Sequence, residues 1–329
     1  MEAVRSKHLP AVAVRIGFAR CLPGLLIGIL FSGCQPLVTN PLRDRLVPSN
    51  ARDWAPQFSR LPWAEARPDG TIHIANVRNN LYLAEEDFVP QYYDLDFRLE
   101  DVRSVDYLVV PFNSTPLIAH TMISFGLADG RYFCFSAEIR TERGEKYSPV
   151  LGFIRQYEIT YVIADERDLV RLRTRYRDSD VYLYRTVATP EQAQAMLIDM
   201  LERANRLASR PEFYNTVVNN CTTNVLNHVN RLRKQKLALS WKVLFPGYSD
   251  QFAWEQGLLD RSVPFEQLKA ESKINDLAEL HFDDPDFSQR IRERVRDVKP
   301  PPAEPATNDN LASRIRSFFS ERPASQQLR

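Results

Sequence analysis

Asn219-Asn220-Cys221-Thr222-Thr223-Asn224 is the stretch around which the chain is organised. The residues that follow, 225–232, place apolar side chains at helical spacing. Asparagine is a favoured N-cap residue, so a helix is predicted to begin at or next to Cys221. Unpaired N–H groups and the helix dipole stabilise an anion at that end. The position therefore favours a thiolate nucleophile, and the alternative is a buried, unreactive cysteine.

Composition excludes several other kinds of site. The chain has 329 residues, of which 44% are hydrophobic, which is enough for one large domain or two small ones. A net charge of +1 gives no reason to expect a nucleic-acid partner. There are no cysteine pairs at zinc-binding spacing and no glycine-rich phosphate loop. We therefore predict no metal and no other cofactor.

Residues 1–33 are predicted to be a lipoprotein signal peptide. Basic residues precede an uncharged apolar run, 22–31, which is too short to span a bilayer. The run ends in Phe31-Ser32-Gly33-Cys34, which resembles the lipobox of bacterial lipoproteins. That resemblance implies cleavage before Cys34 and a diacylglyceryl group on its sulfur, which would bind membrane lipids. The alternative is an uncleaved anchor, and Gln35 in place of an aspartate is compatible with sorting to the outer membrane.

Three further segments are predicted in the mature chain. Residues 34–50 contain three prolines and no periodicity, which is typical of a flexible tether. Residues 51–297 hold the apolar runs and are predicted to be the catalytic domain. Residues 298–329 begin with a proline cluster and continue with polar residues, which indicates a disordered tail.

The middle of the domain is rich in short β-forming runs, at 71–77, 105–112, 118–125, 131–139, 157–163 and 181–187. Gly126-Leu127-Ala128-Asp129-Gly130 joins two of them as a hairpin loop. Thr189, Pro190 and Gln192 then mark the start of a long helix. The expected fold is α+β, with a mainly antiparallel sheet packed against helices. Four arginines alternate with other residues over 171–177, and on a strand they would share one face.

A thiolate nucleophile needs a base within hydrogen-bonding reach. His120 stands in an apolar strand, so its imidazole must be either satisfied structurally or functional. His228 lies seven residues after Cys221 on the same helix, which is too far along the helix to reach the thiol. In an oxidising compartment Cys134 could instead form a disulfide with Cys221, which would silence the nucleophile.

Several separated blocks resemble one family. They are HTMISFGLADGRYFCFSAEIR, GEKYSP, RQYEITYVIADERD, FYNTVVNNCTTN and LFPGYSD, and together they look like the Lnb N-terminal periplasmic domain family over residues 54–280. The resemblance implies a circularly permuted papain-like (NlpC-like) thiol-enzyme architecture. It also implies that Cys221 is the nucleophile and His120 the base.

Other members of the site have alternatives. Cys134, Ser136 and Glu138 share one strand face, so Glu138 could orient the His120 imidazolium, or it could pair with a nearby arginine. Asn220 could line an oxyanion site or only cap the helix. The Thr222 N–H is a further oxyanion donor.

The characterised relatives imply lipoprotein N-terminal acyl transfer. We therefore expect an envelope, periplasm-facing cysteine acyltransferase or hydrolase that forms a thioester on Cys221. Its substrate would be a lipoprotein, a phospholipid or a peptide. The alternatives are a catalytically silent, lipid-anchored scaffold and an amidase that acts on peptidoglycan or peptide.

Overall fold

The computed structural model describes residues 47–146, 152, 156–296, 298, 317 and 318. The strands are β1 (Trp63–Ala66), β2 (Thr71–Arg78), β3 (Leu81–Tyr82), β4 (Phe88–Val89), β5 (Tyr92–Arg98), β6 (Val102–Phe112), β7 (Thr115–Leu127), β8 (Tyr132–Arg140), β9 (Glu158–Asp165), β10 (Tyr182–Arg185) and β11 (Glu212–Phe213). The helices are α1 (Glu166–Arg171), α2 (Pro190–Ser209), α3 (Cys221–Leu232), α4 (Trp241–Leu244), α5 (Ser249–Glu255), α6 (Phe265–Glu271), α7 (Asn275–Leu280) and α8 (Phe287–Arg290).

A nine-stranded sheet runs through the described part of the chain in the order β1-β2-β9-β8-β7-β6-β10. Strand β5 also pairs with β2, and β11 pairs with β9. All of these pairs are antiparallel except β2 with β9. The predicted hairpin at 126–130 joins β7 to β8. The α+β class with a mostly antiparallel sheet is therefore confirmed, and the permuted papain-like relationship stays a prediction.

Helices cover both faces of this sheet. On one face, Ile123, Phe135 and Tyr161 pack against apolar side chains of α2, and α3 lies on the same side. On the other face, Met122 and Cys134 pack with residues of α1, α7 and α8. Because side chains alternate along a strand, neighbours in β7 belong to different cores. We call these the α3 face and the α1 face.

Residues 171–177 do not form a strand. Arg171 ends α1, and a π-helical turn, Leu172–Tyr176, follows it. Asp165 caps α1, since its side chain accepts a hydrogen bond from the Arg167 N–H at 2.9 Å. Arginines at every second position over a few residues do not distinguish a strand from an α-helix that continues into a π-helical turn. The four arginines therefore do not all line one face: Arg173 is buried, whereas Arg175 lies at the surface.

Several predictions fall outside the described residues. They include the signal peptide and lipid attachment at Cys34, the first part of the tether, and nearly all of the tail. The domain boundaries also stay predictions. Both remaining cysteines, Cys134 and Cys221, are free and buried, so the alternative disulfide is not formed.

Candidate functional site

Cys221 is the first residue of α3, as predicted. Asn220 is the N-cap: its side-chain oxygen accepts from the Thr223 N–H at 2.9 Å, and the Thr223 hydroxyl accepts from the Asn220 N–H at 2.9 Å. This reciprocal capping box closes two of the donors at the helix start. The N–H groups of Cys221 and Thr222 have no protein acceptor in the described part of the chain. Two amide donors therefore remain for a developing oxyanion beside Cys221, a residue that is 8% exposed.

A buried network that the sequence did not suggest holds this helix start. Asn224, one turn into α3, donates from Nδ2 to Asn219 Oδ1 at 2.9 Å and to the Asn220 carbonyl at 2.8 Å. The Tyr161 hydroxyl lies 3.2 Å from Asn224 Oδ1 and 2.7 Å from His228 Nε2. Strand β9 is thereby tied to the turn that precedes the thiol.

His228 completes this network with Asp199 of α2. Its Nδ1 is hydrogen bonded to the Asp199 carboxylate. Burial lowers the pKa of His228 although the Asp199 charge acts to raise it, so the imidazole is neutral at neutral pH. A neutral ring that donates from Nδ1 to Asp199 has its lone pair at Nε2, so Asn224 Oδ1 and His228 Nε2 share the single Tyr161 hydroxyl proton. The helical spacing of Cys221, Asn224 and His228 was the available signal for this network, but the Asp199 partner lies 29 residues away in sequence.

His120 lies in β7 and contacts different groups. Its Nε2 is 2.6 Å from Ser136 Oγ, and the Ser136 hydroxyl donates to Glu138 Oε1 at 2.7 Å. Glu138 is 3.9 Å from His120 Nε2 and 3.4 Å from the Arg173 guanidinium. The structure thus joins His120 to Glu138 through Ser136, and Arg173 is the arginine that pairs with Glu138.

The charges in this group are strongly shifted. Burial, with the nearby Arg173 charge, lowers the pKa of His120 to about 3. Burial alone would raise the pKa of Glu138, but Arg78 and Arg173 outweigh it and bring that pKa to about 2. At neutral pH the group is therefore a neutral imidazole beside an ionised carboxylate.

Cys221 and His120 are not in hydrogen-bonding contact in this structure. The Thr121 hydroxyl lies 3.3 Å from the Thr222 hydroxyl, so Thr121 is on the α3 face. His120, its neighbour in β7, contacts Ser136, which belongs to the α1 face with Cys134. Cys221 Sγ instead lies 3.7 Å from Thr222 Oγ1. A Cys221–His120 dyad stays a hypothesis that needs a rearrangement, because His120 is directed to the α1 face and α3 lies on the other.

An apolar cavity of about 470 Å³ lies along α3, and Thr222, the residue after Cys221, lines it, whereas Cys221 itself does not. One helical face of α3 forms a wall of it, through Thr222, Val225, Leu226 and Val229. Most of the opposite wall is apolar too, and the Tyr107 hydroxyl, which donates to Ser249 at 2.8 Å, is one of its few polar groups. Volumes of roughly 300–1,000 Å³ hold single small ligands.

The described residues contain no group of three or more His, Cys, Asp or Glu side chains arranged to hold a metal ion. Within that same part of the chain, every helix is too short or too polar to cross a bilayer.

The fold and the site together define a class of protein. It is a mostly antiparallel α+β domain in which a helix begins at a free cysteine near an apolar cavity. Residues 88–247 match the family model described as the Lnb N-terminal periplasmic domain, and this part of the chain belongs to that family. The match contains both His120 and Cys221. No curated protein and no solved structure matches the chain. The protein is accordingly a periplasm-facing component of a bacterial envelope.

Proposed function

We propose that this protein is an envelope thiol enzyme that carries a fatty acyl group on Cys221 as a thioester. The observation that carries the proposal is the position of Cys221, at the start of α3 and one residue before Thr222, which lines an apolar cavity. A helix start favours the anionic sulfur, and the cavity suits a hydrocarbon chain. A polar peptidoglycan peptide fits such a cavity less well than an acyl ester does.

The reaction has two halves. Cys221 Sγ attacks the ester carbonyl carbon, the S–C bond forms, and the C–O bond to the alcohol breaks. The proton that leaves the thiol is delivered to the departing alcohol. An amine or water then attacks the thioester carbonyl, which frees Cys221 and gives an amide or a carboxylic acid. The N–H groups of Cys221 and Thr222 would stabilise the oxyanion of both tetrahedral intermediates.

His120 is the proposed proton carrier, and it would have to leave Ser136 and reach the thiol when substrate binds. Catalytic hydrogen bonds are often long or poorly aligned in unliganded structures and tighten only in the complex. In the position that the structure shows, a pKa of about 3 makes His120 a weak base, so the role requires its pKa to rise once the ring leaves this buried position beside Arg173. Glu138 would then orient the ring through Ser136.

The hydrogen bond from His120 to Ser136 also favours a second candidate, an envelope domain that binds an acyl chain without chemistry. In that case the cavity would still be filled, but no ester would be cleaved.

The two candidates differ in alcohol release. We would follow p-nitrophenol release from p-nitrophenyl esters of increasing acyl length. The value of kcat/KM should rise by up to about fourfold per added methylene until the cavity is filled. Cys221→Ala should abolish release, and Cys134→Ala, a buried thiol on the α1 face, should not. Leu226→Trp, which fills the cavity, should remove the preference for long chains, whereas Leu280→Trp at the surface should keep it. A folded protein that releases no alcohol would leave only the binding role.

We also propose that Cys34 carries the diacylglyceryl anchor, on the strength of the lipobox-like Phe31-Ser32-Gly33-Cys34. Cys34→Ser should leave the precursor unprocessed and free of lipid in intact-mass analysis. Membrane fractionation of the anchored form tests outer-membrane sorting. Enrichment in the outer membrane would support this sorting, and enrichment in the inner membrane would contradict it.

A further inference from the structure

Residues 231–245 expose an unusual amount of apolar surface. Between α3 and the end of α4, the exposed fractions are 59% for Leu239, 55% for Trp241, 39% for Leu244 and 44% for Phe245. Single exposed apolar residues are ordinary, but four within seven residues form a patch that marks an interaction surface. We call residues 231–245 the basic-apolar segment.

Positive charge is concentrated in the same segment. The chain as a whole carries a net charge of only +1. Residues 213–249 nevertheless contain no Asp or Glu, and their five cations all lie in the basic-apolar segment, at Arg231, Arg233, Lys234, Lys236 and Lys242. Two of these have carboxylate partners, since Arg231 pairs with Asp199 and Lys242 with Glu255. Among the described residues the other three have none.

The patch is held in place by the body of the protein. Trp241 packs edge-on against Tyr248, with ring centroids 5.1 Å apart. Gly247 lies so close to β7 that a Cβ atom there would be 1.9 Å from the Pro116 carbonyl oxygen. Leu117, next along β7, is itself 46% exposed. The exposed apolar side chains therefore belong to a fixed surface.

We propose that the basic-apolar segment, with Leu117, docks on the surface of an anionic lipid bilayer. An exposed tryptophan beside leucine and phenylalanine, with lysines and arginines around them, matches the interface between headgroups and acyl chains. Unpaired cations complement the negative surface of such a bilayer. The segment also lines the apolar cavity through Leu232, Leu237 and Val243, so docking places the cavity beside lipid.

Vesicle binding tests this directly. The exported chain would carry Cys34→Ser, so that no lipid anchor contributes, and would be floated with phosphatidylcholine vesicles with or without phosphatidylglycerol. We expect binding to the anionic vesicles only, weakened by high salt. The triple variant Arg233→Gln/Lys234→Gln/Lys236→Gln should weaken it on the order of 100-fold, and Trp241→Ser/Phe245→Ser should also reduce it.

A matched control removes three exposed arginines that have carboxylate partners, Arg143, Arg175 and Arg177. It should bind as the unmodified chain does. Cys221→Ala should bind normally as well, because docking does not depend on the chemistry proposed for the thiol. Equal loss in the control and the test variant would overturn the assignment of the surface. Failure of the folded chain to bind anionic vesicles would overturn the membrane as occupant and point to an acidic protein face.

Discussion

Replacement of Arg292 by methionine should be among the most destabilising single changes in the chain. Arg292 follows α8 and reaches into the α1 face, where Nη2 lies 2.6 Å from Glu166 and Nε lies 2.8 Å from Asp106. Its guanidinium also stacks on Tyr132, 3.6 Å from the ring centroid. Glu166 and Asp106 are fully buried, and their charges raise the pKa of Arg292 despite its burial.

The magnitude follows from what the substitution leaves behind. Asp106 would keep Arg185, whose Nε lies 2.6 Å from it, but Glu166 would keep only the Ser124 hydroxyl. Removal of one partner from a buried ion pair costs about 3–5 kcal/mol, because the remaining charge is buried and uncompensated. For a domain of this size that corresponds to a fall in Tm of roughly 10 °C.

Urea and thermal unfolding of Arg292→Met would be compared with Arg290→Met. Arg290 is at the surface, where it pairs with Asp284 and Glu293, so its replacement should cost less than about 1 kcal/mol. Adding Glu166→Gln to Arg292→Met should recover part of the lost free energy of unfolding, since the orphaned charge is then removed. A loss below about 1 kcal/mol for Arg292→Met, or further destabilisation by the second change, would refute the reasoning.

Three other predictions follow from single groups. The His120 imidazole should stay neutral in an NMR titration down to about pH 3. Because the pKa of His120 is lower in the folded than in the unfolded chain, the free energy of unfolding should fall as pH drops from about 6.5 towards 3. His120→Gln should show a smaller slope of this free energy against pH. Tyr161→Phe should lower the free energy of unfolding by about 1–3 kcal/mol in urea, because His228 Nε2 loses its buried partner, and an unchanged value would show that this contact is unimportant. Gly247→Ala should cost about 1–3 kcal/mol in the same assay because its Cβ would overlap the Pro116 carbonyl, and a neutral result would mean that the loop moves freely.

Local patterns were sufficient for most of the fold. The runs at 71–77 and 131–139 became β2 and β8, because alternating and β-branched residues report the pleat directly. The capping signals at Thr189 and Asn220 located two helix starts for the same reason, since a cap is made by residues three apart. The alternating arginines at 171–177 could not show whether the segment is a strand, because the same alternation continues through a helix and a π-helical turn.

The arrangement of the site depends on contacts that no local pattern records. The face on which His120 lies is set by the register of β7 against β8 and by which helices cover each face. The Asp199 carboxylate that holds His228 comes from another helix, and Arg292 meets Asp106 across 186 positions. Polar partners at such separations are fixed by the tertiary fold alone.

The most direct test of the account is the mass of the protein itself after brief exposure to a long-chain p-nitrophenyl ester and rapid acid quench. We expect a single added acyl group that maps to Cys221 by peptide mass spectrometry, is released by hydroxylamine, and is absent from Cys221→Ala. An unmodified protein that remains folded, or an acyl group found equally on Cys134, would contradict a thioester at the start of α3.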